Sequence, residues 1–168
     1  PDRLSDCLET YAEQSPTHVF VAQRRGGGDW EQISYAQMFE RERSIGQALL
    51  DMGLSVDRPL AILSDNDLEH LSLKMGAMWA GIPTVSVSTA YSLISTDHGK
   101  LRHIAATTTP GAVYAADSRF AKAIAAAFTT DTRVILGSDV GATEGAIAFG
   151  DLLETVAGPR LAAAHAAT

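Results

Sequence analysis

Four short apolar runs at a near-regular interval constrain this chain more than anything else in it. They are "RPLAILS" (58–64), "PTVSVS" (83–88), "GAVYAA" (111–116) and "RVILG" (133–137). Their starts at 58, 83, 111 and 133 leave 22 to 28 residues per repeat. Most of these runs are apolar without strict alternation, as strands buried on both faces are. Amphipathic stretches at 66–81, 95–106 and 118–128 fill the intervals. Parallel strands need a crossover of about a dozen residues, usually a helix. The pattern therefore predicts an α/β fold: a layered parallel sheet built from βα repeats, with helices on both faces.

Helix signals sharpen the reading. In 66–81, Asn66 is the expected N-cap, Glu69 follows three residues on, and Gly81 is the stop. Leu68, Leu71, Met75, Met78 and Trp79 give its expected buried face. In 118–128, Phe120, Ile124 and Phe128 face inward. Ahead of the repeats, Leu4, Leu8, Tyr11 and Ala12 recur at helical spacing in 4–15, with Pro16 just beyond. Val19 to Gln23 and Trp30 to Ile33 read as strands of a β-hairpin turned at Gly26–Gly28. A phosphate-cradling loop needs a helix with a Lys or Ser/Thr partner directly after the glycines, and none follows. Residues 34–52 form the clearest helix, with a Ser34–Gln37 capping box and Gly53 as stop. Tyr35, Met38, Phe39, Ile45, Leu49 and Met52 make its apolar stripe, and Glu40 to Arg43 are expected to be a solvated face. The Ala-rich "AGPRLAAAHAAT" is expected to be an exposed, fraying end. Residues 1–156 thus read as one α/β unit and 157–168 as a tail or truncation end.

Composition excludes some functions. Thirteen basic residues against twenty acidic ones give a net charge of −7, which argues against a general nucleic-acid or anionic-membrane binder. No window of 18 uninterrupted apolar residues is present, and the start lacks the basic head and apolar core of a signal peptide. The chain starts at Pro1, so preceding residues are expected. The single cysteine, Cys7, excludes an internal disulfide and reads as a buried structural thiol, which suits a reducing, cytoplasmic setting.

Chemical signatures are sparse. The sequence has no G-x-x-x-x-G-K-[ST], no G-x-G-x-x-G after a strand and no G-x-S-x-G. His98 and His103, five apart, do not suit two metal ligands on one helical face, and the five histidines read as surface or half-buried residues. "GSDVGATEGAIAFG" (137–150) reads as a surface loop. Asp65 and Asp117 stand at strand C-termini, where open α/β sheets bind ligands, but lone carboxylates there read as caps or loop residues. No catalytic, cofactor-binding or metal residue is assigned from these patterns.

Read in order, the chain resembles the N-terminal portion of adenylate-forming acyl- and aryl-CoA synthetases, the AMP-binding superfamily. "CLETYAEQSPTHVFVAQR" resembles the family's opening helix and first strand, and "WEQISYAQM" its aromatic strand stepping through Ser-Tyr onto a helix. "RPLAILSDNDLEHLSLKMGAMWAGIPTVSVS" resembles the next block of strand, capped helix, Ala-Gly and strand. "STAYSLISTDHGKLRHI" followed by "TPGAVYAAD" is most similar to feruloyl-CoA synthase. The chain departs from the family where Ser86 and Thr89 stand at positions usually held by prolines, which leaves that loop less fixed.

The resemblance implies a parent ligase that activates a carboxylic acid, aromatic in the feruloyl subgroup, with ATP and Mg and passes the acyl group to CoA. It also implies that these residues stop roughly ten to twenty short of the triphosphate loop, so the chain alone is expected to bind no cofactor and to be inactive. Tyr91 and Ser92 are the residues it places beside the acyl or CoA passage. Expected partners are the remainder of the ligase's N-terminal domain and its C-terminal domain. Self-association through the face they would cover is expected too. Two other readings compete: a stand-alone binding or interaction domain derived from such an enzyme, and an unrelated α/β sensor with its ligand at the strand ends.

Overall fold

The computed structural model describes residues 3–168. In chain order it contains α1 (Leu4–Gln14), β1 (Val19–Arg24), β2 (Trp30–Ser34), α2 (Tyr35–Asp51), β3 (Leu60–Leu63), α3 (Leu68–Trp79) and β4 (Thr84–Ser86). Then follow α4 (Ala90–Leu93), α5 (Gly99–Thr108), β5 (Ala112–Ala115), α6 (Ala121–Ala127), β6 (Arg133–Leu136), β7 (Ile147–Ala148), α7 (Phe149–Leu153) and α8 (Pro159–Ala166). β3 to β7 form one parallel sheet in the order β4-β3-β5-β6-β7.

The central strands are buried on both faces, as their continuous apolar runs require. Leu60 and Ile62 of β3, with Ala112 and Tyr114 of β5, pack toward α2, α3, α7 and α8. Ala61 and Leu63, with Val113 and Ala115, pack toward α5 and α6. The crossover from β3 to β4 thus runs over one face, and the return from β4 to β5 over the other. β1 and β2 pair antiparallel as a separate hairpin. Gly26 and Gly27 supply positive φ at its tip, +59° and +77°, which a side chain resists. Arg25 ties the tip to α3 through Glu69 at 2.7 Å and to β2 through Glu31 at 3.3 Å.

Helices α2 and α3 meet at backbone distance. A methyl built on Gly46 lies 2.9 Å from the Gly76 carbonyl oxygen, and one built on Gly76 lies 2.5 Å from Ile45 Cγ2. Glycine is needed at both places for close approach, not for its torsions.

Several expectations are corrected. The N-cap of α3 is Asp67, not Asn66: its carboxylate accepts from the His70 amide at 2.6 Å, and the Asn66 carbonyl instead accepts from Gln23. The 95–106 helix starts later, at Gly99, after the separate short α4. The 137–150 loop contains β7, which pairs with β6 through only Ile147 and Ala148, too short a run to show in the sequence. Leu4 and Tyr11 are exposed, because α1 turns Ser5, Leu8 and Ala12 inward. Cys7 is only half-buried for the same reason. The face from Glu40 to Arg43 is not wholly solvated, because Glu42 is 0% exposed.

The 159–168 segment is not a fraying end. Pro159 starts α8 at a position where its missing N–H costs nothing, and the Gln47 side chain accepts from the Gly158 amide at 3.0 Å. Leu161 is 2% exposed and fills the notch over Gly46. The His165 ring stacks on Trp79, 3.7 Å between centroids and 4° from parallel. Its Nε2 lies 3.0 Å from Asp6 Oδ1, so α8 also reaches α1.

Candidate functional site

The strand order places a switch point between β3 and β5, since the chain leaves β3 to one side for β4 and returns on the other for β5. In open α/β sheets ligands bind outside the strand C-termini at such a point. Here that rim carries Ser64 and Asp65 after β3, Ser86 and Thr89 at and after β4, and Asp117 after β5.

His70 organises one half of the rim. Three residues beyond the N-cap, it lies in the first turn of α3 and reaches the strand ends. It is 9% exposed. Its Nδ1 lies 3.1 Å from the Asp65 carbonyl oxygen and 3.2 Å from Ser64 Oγ. Its Nε2 lies 3.1 Å from Ser86 Oγ. A carbonyl oxygen only accepts, which assigns the Nδ1 proton to the Asp65 bond; in the neutral ring Nε2 then accepts from the Ser86 hydroxyl. Thr89 Oγ1 donates to Asp65 Oδ1 at 3.2 Å. The two residues that replace the expected prolines are therefore pinned, Ser86 to the first turn of α3 and Thr89 to the β3–α3 loop. The β4–α4 loop, expected to be less fixed, gains two side-chain anchors.

The electrostatics of the rim are mixed. Burial pushes the Asp67 carboxyl up, with Glu69 adding to the effect, while the His70 amide bond opposes it. Across the switch point, the Arg119 guanidinium holds the Asp117 carboxyl below its ordinary range, with contacts at 2.8 to 3.1 Å. Asp117 also accepts from the Arg119 amide, so it caps the turn after β5. Beyond the rim, a cleft of about 340 Å³ runs between the hairpin and the start of α3, lined by Val21, Gln23, Asp67, His70, Leu71 and Lys74. Gln23 closes one side, accepting from the Leu68 amide at 3.2 Å and donating to the Asn66 carbonyl at 3.0 Å.

Of the residues singled out from sequence, Asp65 enters the His70 network and Asp117 stays outside it as a cap. Tyr91 is half-buried with the Lys100 ammonium 5.0 Å from its ring centroid. Ser92 is buried, and its hydroxyl has no hydrogen-bond partner. His98 takes a left-handed conformation (φ 51°) before α5 and is buried, against the expectation of a surface or half-buried residue, whereas His103 on α5 is exposed. His70 was hidden among histidines read as surface or half-buried residues; its place three positions after a capping Asp was the available signal. Among the described residues no group of three or more His, Cys, Asp or Glu is placed to hold a metal ion, and no helix is long and apolar enough to cross a membrane.

Comparison with known proteins places the fold. The family described as AMP-binding enzyme matches residues 8–158. No curated protein matches the sequence. Among solved structures, the chain is similar to a fatty acyl-adenylate ligase from L. pneumophila in complex with acyl adenylate and pyrophosphate. The identity is 18% and the TM-score 0.70, over 96% of this chain and 25% of that one. It is similar to a benzoate CoA ligase from Burkholderia xenovorans LB400 at 16% identity and TM-score 0.69, over 91% of this chain and 28% of that one. It is also similar to the luciferase-like enzyme from the nonluminescent Zophobas morio mealworm, at 16% identity and TM-score 0.67, over 94% and 34%. The chain thus spans about a quarter to a third of the length of these structures.

Proposed function

The chain belongs to the AMP-binding enzyme family, and on that premise we propose that it is the N-terminal part of an ATP-dependent acid–CoA ligase of the feruloyl-CoA synthase type. The carrying observation is one of proportion: the family match takes in nearly the whole chain, while the chain takes in a quarter to a third of each ligase-like neighbour. The resemblance of "STAYSLISTDHGKLRHI" and "TPGAVYAAD" to feruloyl-CoA synthases supports an aromatic acid.

In such a reaction a carboxylate oxygen attacks the α-phosphorus of ATP and pyrophosphate leaves. The CoA sulfur then attacks the acyl carbon and AMP leaves. Charge developing on the phosphates is met by pre-placed donors and a cation. Residues 1–168 carry no Ser/Thr/Gly-rich loop ending in Pro-Lys-Gly, the device the resemblance leads one to look for. We assign this chain a supporting role: a rigid sheet whose C-terminal rim fixes the β4–α4 loop, with Tyr91 and Ser92 bordering the acyl or CoA passage.

Hydroxylamine trapping with the longest natural polypeptide that contains these residues tests the proposal, using ATP, Mg and a panel of acids. Hydroxamate from ferulate and related aromatic acids is expected. Preference for aliphatic acids overturns the feruloyl reading alone. No hydroxamate with any acid overturns the ligase reading.

A further inference from the structure

One buried group has no place in the rim or in any proposed chemistry. Glu42 lies on α2 with neither carboxylate oxygen hydrogen-bonded. It follows Met38 by four residues and precedes Ile45 by three, so it shares the inward face of α2 with two fully buried apolar side chains. On one side stands α3, held at backbone distance: a methyl on Gly76 would lie 3.1 Å from the Glu42 carbonyl oxygen. On another side stands α1, which packs on α2 and turns Ser5, Leu8 and Ala12 inward. An ionised carboxylate here has neither water nor a donor to replace it.

We propose that Glu42 is a pH-responsive latch for α1: protonated, it lets α1 seat on α2 and α3, and ionised, it releases α1. The charged surroundings favour this direction. Glu9, from α1, has the same sign, and Arg43, on α2 itself, opposes it only in part. No other charge of the packed elements bonds the carboxylate, Arg41 of α2 included, and Glu13 of α1 and Glu40 of α2 are exposed. Asp6 of α1 meets Arg3 and His165, Glu69 of α3 holds Arg25, and His70 serves the rim. Lys74 of α3 lines the hairpin cleft, and Arg160 of α8 faces Asp51. α1 is the element that can leave. α3 is locked to α2 through Gly46 and Gly76 and joined to the sheet at both ends, whereas α1 turns only Ser5, Leu8 and Ala12 inward.

Burial, with Glu9 adding, pushes the Glu42 carboxyl up to about 9 from an ordinary 4.5. Folded-state acidity weaker than that of the open state means that seating is fully favoured below 4.5 and is lost as pH rises through about 9. Between those limits the opening constant grows about tenfold per pH unit.

Amide hydrogen exchange on the 168-residue chain reads this directly. Protection of the α1 peptide is compared between the native chain and E42Q at pH 6, 7 and 8, with E42L as a second neutral variant. E42Q keeps every other titratable group, His165 included, so the ratio isolates Glu42. The native-to-variant protection ratio for α1 should fall about tenfold per pH unit, and α1 should exchange faster than the β3 and β5 peptides at every pH. A ratio independent of pH overturns the latch. So does protection of α1 equal to that of β3 and β5 at every pH, which would mean that the core opens as one body.

Discussion

Replacing Gly76 by alanine probes the tightest approach to a glycine in the described residues. On helix propensity alone the change should stabilise α3 by about 1 kcal/mol. The geometry predicts the opposite sign. The added methyl lies 2.5 Å from Ile45 Cγ2, 2.7 Å from Ile45 Cβ and 3.1 Å from the Glu42 carbonyl oxygen. Carbon contacts settle at about 3.5–4.0 Å, so α2 and α3 must part by about 1 Å along their seam. Overpacking of this kind costs about 1–3 kcal/mol, leaving a net loss of up to about 2 kcal/mol after the propensity gain. With a urea slope of about 2 kcal/mol per M, the unfolding midpoint should fall by up to about 1 M. Pairing Gly76→Ala with Ile45→Ala removes Cγ2 and should recover part of the loss, seen as a coupling of about 1 kcal/mol in a double-mutant cycle. A midpoint that rises in Gly76→Ala, or a cycle with no coupling, would refute the claim that the helices touch through these glycines.

Three further outcomes follow from single residues. Leu161→Ala should cost about 2 kcal/mol in urea unfolding and strip exchange protection from α8, where a fraying tail would show no effect. Asp67→Ala should cost about 1 kcal/mol while Asn66→Ala costs little, because of these two side chains the Asp67 carboxylate is the one that bonds a free amide of α3. Native stability against urea should drop by about 1.4 kcal/mol for each unit of pH between 5 and 8 on account of Glu42. At pH 7 that makes Glu42→Gln more stable than native by about 3 kcal/mol, and equal stability of the two at pH 5 and pH 8 would contradict the assignment.

The parts of the fold that were legible in the sequence are those set by burial on both faces. Continuous apolar runs located β3, β5 and β6, the edge strand β4 showed as an alternating Val-Ser run, and the helices between them forced the parallel arrangement. β7 escaped because two residues carry no periodicity. The α8 segment looked like a tail because alanine shows little to bury, yet one leucine, a proline at the start and a histidine that stacks are enough to seat it. Glu42 was partly legible: its spacing from Met38 and Ile45 puts it on the apolar stripe, but the run Glu-Arg-Glu-Arg reads as a solvated face. The rim was the least visible. Ser86 and Thr89 stood out only as missing prolines. Their partners, His70 and Asp65, lie 16 and 24 residues away and meet them only once β3 and β4 are paired.

The most direct test of the account is to incubate the purified 168-residue chain with ferulate, ATP, Mg and hydroxylamine, alongside an intact acid–CoA ligase as positive control. The account predicts no hydroxamate from the chain, since its sheet and rim lack the loop that would hold the triphosphate. Hydroxamate formed by the chain alone would contradict it and place adenylation chemistry within these residues.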